Sequence, residues 1–123
     1  MKIVIPLNPV TKKNSQRILI NHKTGKPFIA QNQKYKEYEN ECGWYLGQFK
    51  GLQIDYPVNL KVIYYRKTRH RVDLINLHEA LQDILVKYGV LKDDNVDIVH
   101  SLDGSRVMYD KENPRTEIEI RRI

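Results

Sequence analysis

With 123 residues, the chain has room for one hydrophobic core and not for two. Its formal net charge of +6 favours an acidic partner, nucleic acid first among them. Cys42 is the single cysteine, which excludes an internal disulfide and a thiolate-rich zinc site, and His22, His70, His78 and His100 lack ligand-like spacing.

Lys2 to Leu7 predicts a first strand that Pro6 cuts short. The same segment turns polar too quickly for a signal peptide, and no apolar run approaches the roughly 20 residues that span a bilayer. A cytoplasmic protein with no membrane partner is the expectation. Thr11 to Gln16 is polar and basic, a predicted loop. Arg17 to Asn21 and Pro27 to Ala30 flank His22-Lys23-Thr24-Gly25, which predicts a hairpin with Gly25 as its left-handed residue.

From Gln33 to Phe49 the period becomes helical, with Tyr35, Tyr38, Cys42, Tyr45, Leu46 and Phe49 on one stripe. A base-stacking platform could use such aromatics, but this spacing reads first as core, and Cys42 lies on it as a small buried residue. Val58 to Tyr65 alternates as a half-buried strand. Leu74, Leu77, Leu81, Ile84, Leu85 and Tyr88 predict a second helix, closed by Gly89 at the position after its cap. Val96 to His100, resuming at Arg106 to Tyr109 after an Asp103-Gly104 turn, and Thr116 to Ile120 after the Asn113-Pro114 break, supply the last strands. The order predicts a single α+β domain over 1–123: a mixed or mostly antiparallel sheet with two main helices packed against it.

The chemistry concentrates around the second helix. Asp73 stands at its mouth and Asp93-Asp94-Asn95 just beyond its end. Each has an ordinary explanation: Asp73 as an N-cap with Asn76 in a capping-box position, Asp93 and Asp94 in a surface turn. Asn76, Glu79 and Asp83 follow i, i+3, i+7 on one polar edge, which a solvated face also explains. About 15 helical residues rise roughly 22 Å, so the two acidic sites approach only if the chain turns back after Gly89. Arg66-Lys67-Thr68-Arg69-His70-Arg71 runs into Asp73, and Lys12-Lys13-Asn14-Ser15 forms a second basic patch. Phosphates would match both, because each neutralised phosphate releases counterions.

Asp73-Leu74-Ile75-Asn76-Leu77, Asp83 and Lys87-Tyr88-Gly89-Val90-Leu91-Lys92-Asp93-Asp94 together resemble the RusA family of Holliday junction resolvases of phages and prophages. Pro9-Val10-Thr11-Lys12-Lys13-Asn14-Ser15 is similar to that family's amino-terminal segment. The resemblance implies a homodimeric, Mg²⁺-dependent endonuclease, with Mn²⁺ able to substitute, that nicks two opposed strands of a four-way DNA junction. It implies Asp73 and Asp94 as metal-binding catalytic carboxylates. Asp93 and Asn76 stand beside them as metal or outer-shell positions. Lys12, Lys13, Asn14, Arg69 and Arg71 are implied as DNA contacts. Two positions depart from the family's pattern: Ile75 stands where a second catalytic aspartate is common, and Glu79 where a lysine is. Glu79, one turn on, is the candidate replacement ligand. A branched-DNA-binding accessory protein that does not cut, and a basic fold whose carboxylates only cap and turn, are the alternatives.

Overall fold

The computed structural model describes residues 1–12, 16–31 and 33–123, and for 16–19 and 28–31 the backbone alone. In chain order it has β1 (Lys2–Ile5), β2 (Gln16–Ile20), β3 (Pro27–Gln31), α1 (Gln33–Leu46), β4 (Val58–Arg66), α2 (Leu74–Lys87), β5 (Val99–Ser101), β6 (Arg106–Tyr109) and β7 (Arg115–Arg122). This is the expected α+β arrangement with a mixed sheet.

β7 lies between β1 and β4 and is antiparallel to both. β5 and β6 share the far edge of β4, each parallel to it: β5 at Val58–Asn59 and β6 at Ile63–Arg66. A parallel neighbour needs a crossover, and α2 provides it between β4 and β5. Strand alternation sorts the faces. Ile3, Ile5, Val58, Leu60, Val62, Tyr64, Ile118 and Ile120 are buried, while Val4 and the residues between the others face outward. Tyr35, Tyr38, Cys42 and Leu46 from α1 and Leu77, Leu81, Ile84 and Leu85 from α2 complete the same core. β2 and β3 pair as a separate antiparallel hairpin, with Gly25 at φ +70° in its turn.

The structure corrects three sequence expectations. α1 stops at Leu46, and Gly47–Phe49 forms a short 3₁₀ turn because Gly47 favours leaving the helix. Tyr45, placed on the core stripe, is 38 % exposed. Val96 does not start a strand: Asn95 Oδ1 accepts from Asp97 N at 3.0 Å, and this side-chain turn delays β5 to Val99.

Candidate active site

β4 delivers the chain to the site. Arg66 closes that strand, and its guanidinium donates back to the His70 carbonyl, folding the basic run over the strand end. Arg66 O accepts from Asp110 N at 2.9 Å, and Asn8 Oδ1 accepts from Lys67 N at 2.8 Å, so both β6 and the amino-terminal segment are tied to this crossing. Burial pulls the Arg66 guanidinium below its ordinary pKa, and its Nε is buried without a hydrogen-bond partner among the described residues. Arg69 lies over the Tyr109 ring at 4.0 Å. Arg71 is exposed, and Val72 packs against the core.

Asp73 then caps α2. Its backbone is extended (φ −96°, ψ 122°), and its Oδ1 accepts from Ile75 N at 3.0 Å. This is the capping reading, with Ile75 rather than Asn76 as the donor. Asp73 remains exposed, Asn76 is half-buried and Glu79 is exposed. Ile75 is 72 % exposed, so the position where a second carboxylate is common faces solvent beside Asp73.

At the other end of α2 the chain turns at Gly89. Gly89 adopts φ +76°, and Val90 N reaches Leu85 O at 2.9 Å. Gln53 N, Ile54 N and Lys92 N then pin the returning chain through Gly89 O, Val90 O and Ile54 O. Asp93 Oδ1 accepts from Asp94 N at 2.7 Å and its Oδ2 from Asn95 Nδ2 at 3.1 Å, so Asp93 holds the turn. The Asp94 carboxyl is pushed above the usual aspartate range by partial burial first, then by the charge of Asp83 and by Asp93.

Asp83 is therefore no simple member of a solvated edge: it forms an ion pair with Lys12 and lies within electrostatic reach of Asp94. Tyr35 feels the same field, its hydroxyl raised by burial and then by Glu39, Asp83 and Glu79 among others. Asp83 had one sequence signal, its place on the edge shared with Asn76 and Glu79. Tyr109 had none. Ten residues separate Asp73 from Asp83, about 15 Å of helical rise. Among the described residues no three His, Cys, Asp or Glu side chains are gathered to hold an ion, so Asp73, Asp93 and Asp94 do not form one three-residue cluster. Asp73 is drawn to its cap and Asp93 to its turn. Lys13 and Asn14 lie outside the described residues; Lys12 sits against α2 through Asp83.

These donors suit a hard divalent ion. All are oxygens, and Mg²⁺ uses one or two carboxylates while keeping several waters. No helix among the described residues is long and apolar enough to cross a membrane.

Comparison with known proteins gives one family. The model of a family described as endodeoxyribonuclease RusA matches residues 6–121. The chain is also 34 % identical over 89 residues to the crossover junction endodeoxyribonuclease RusA of Aquifex aeolicus (strain VF5), a match covering 72 % of this chain and 67 % of that protein.

Proposed function

This chain belongs to the RusA family of endodeoxyribonucleases, and from that premise we propose that it resolves four-way DNA junctions as a twofold dimer, nicking two opposed strands with Mg²⁺. A dimer places two equivalent active sites at a fixed separation, which paired symmetric nicks require. Support for the site comes from the family match over residues 6–121, which contains Asp73 and Asp94, on a protein of net charge +6.

Asp73 and Asp94 are the residues that would hold the ion, with Asn76 and Asp93 orienting groups around them. The chemistry the bound ion supplies is acidification of a water and stabilisation of charge on the phosphate oxygens. Arg69 and Arg71 bind phosphates on the approach to Asp73, and Lys13 and Asn14 are further DNA contacts. Lys12 balances Asp83, which keeps one carboxylate of the acidic edge neutralised by the protein itself. Glu79 stands in for the aspartate absent at Ile75.

A labelled four-way junction and a matching duplex, incubated with Mg²⁺ or with EDTA, test this. Paired nicks confined to the junction, dependent on the ion and lost in Asp73→Asn and Asp94→Asn, are expected. Tight junction binding with no cutting under any divalent ion would favour a binding module, a reading for which exposed Ile75 is the specific motive.

A further inference from the structure

A cavity of about 560 Å³ opens where β4, β6 and the basic run meet, with Arg66, Arg69, His70, Arg71, Met108 and Tyr109 among its walls. None of the described residues that line it is acidic. Three guanidiniums without a carboxylate call for an anion, and their planar forks suit phosphate oxygens. An anion is only half of the fit. Tyr109 and Met108 are 39 % and 45 % exposed, and the Arg69 guanidinium carbon lies 4.0 Å from the Tyr109 ring centre. That ring and guanidinium make an aromatic, cationic surface of the kind on which a nucleobase stacks. The volume is within the range of small-ligand sites. Val72 also lines the cavity and Asp73 follows it directly, so the cavity is next to the cap of α2.

The geometry points to a single-nucleotide pocket: the base of one DNA residue, taken out of its stack, rests on the Arg69–Tyr109 pair, and its phosphate meets Arg66 and Arg71. Arg66 Nε, buried without a partner among the described residues, marks a guanidinium that they leave incompletely bonded. A regular duplex keeps its bases stacked, so the pocket selects DNA whose stacking is already interrupted, as at a branch point. This inference rests on the junction-nuclease reading and adds to it a base-reading residue on β6, far in sequence from the acidic motif.

The test is a binding titration of the full chain against four-way junctions, each intact or carrying one abasic residue next to the branch point, in EDTA. Tyr109→Ala should weaken binding to the intact junction about tenfold, in line with loss of one base–aromatic stack. On one of the abasic junctions that penalty should vanish, because the base that Tyr109 holds is already gone. Tyr109→Phe keeps the ring and should bind as the wild type does. A Tyr109→Ala penalty equal on intact and on every abasic junction, or no penalty at all, would overturn the pocket. Equal wild-type affinity for junction and duplex would instead overturn the junction reading. In that case the same comparison with intact and abasic single strands still decides the pocket.

Discussion

At Ile75 the site's chemistry and the fold's stability separate. The side chain is 72 % exposed in the first turn of α2, so replacing it removes no core packing. A carboxylate there also lies at the positive end of the helix dipole, worth a few tenths of a kcal/mol to about 1 kcal/mol. Ile75→Asp should therefore fold at least as well as the wild type and raise Mg²⁺-dependent junction cutting severalfold. Glu79→Gln should depress cutting in the wild-type background and have a smaller effect when combined with Ile75→Asp. A double-mutant cycle on single-turnover rates reads this coupling, and strictly additive effects would remove Glu79 from the site. His78 behaves oppositely. It is 6 % exposed, its Nδ1 lies 2.8 Å from the Tyr64 hydroxyl, and burial holds its imidazole below the ordinary value of 6.5. Its charged form is thus disfavoured in the fold, so its contribution to stability is complete above about pH 6.5 and is lost as pH falls through the lowered value. Denaturant unfolding between pH 7.5 and 5 should give a declining stability whose slope is flatter in His78→Gln. Identical slopes would assign the pH dependence to other groups.

Among the elements, the α2 return decides whether Asp94 can serve at all. Gly89 sits at φ +76°, and a Cβ there would meet the Lys50 carbonyl oxygen at 2.5 Å. Backbone on both sides leaves neither partner free to move, because Gln53 N is already bonded to Gly89 O. Gly89→Ala should cost about 2–4 kcal/mol, combining left-handed strain with overpacking, and should reduce cutting more than binding because the turn leads to the candidate ligand Asp94 and not to Arg69 and Arg71. Equal loss of both activities would mean that the variant is merely unfolded, which the denaturation midpoint reports independently. Much of this element was legible in advance: the apolar period of α2, Asp73 as its cap and Gly89 as its stop are local signals written in adjacent residues. Asp83 was not. Its meeting with Lys12 spans 71 positions, and no local period encodes a contact between an amino-terminal loop and a helix edge. Tyr109 was hidden for the same reason, since only the parallel pairing of β6 with β4 carries it to Arg69. The early end of α1 at Leu46 and the late start of β5 both follow from single residues, Gly47 and Asn95, that override an apolar pattern continuing past them.

For the molecule as a whole, charge and symmetry set a quantity that one titration can read. The net charge of +6 does not by itself count phosphate contacts, because some cations are already engaged: Lys12 with Asp83, Lys87 with Glu39, and Arg115 with Asp110 and Glu117. The basic crossing differs, since Arg66, Arg69 and Arg71 line a cavity with no acid among its described residues. Each neutralised phosphate of duplex DNA contributes about −0.9 to the slope of log affinity against log salt. One phosphate held by Arg66 and Arg71 then contributes about −1 to the slope for one chain on one arm, and about −2 when two chains grip a junction together. Arg71→Ala should lower the steeper slope by up to about 2, because the substitution enters the dimer twice, and Arg115→Ala should leave it unchanged. Sedimentation of the complex fixes the number of chains independently of the slope. A shallow slope with two chains bound would mean that the basic crossings do not face the phosphates, and it would move the DNA path away from the approach to Asp73.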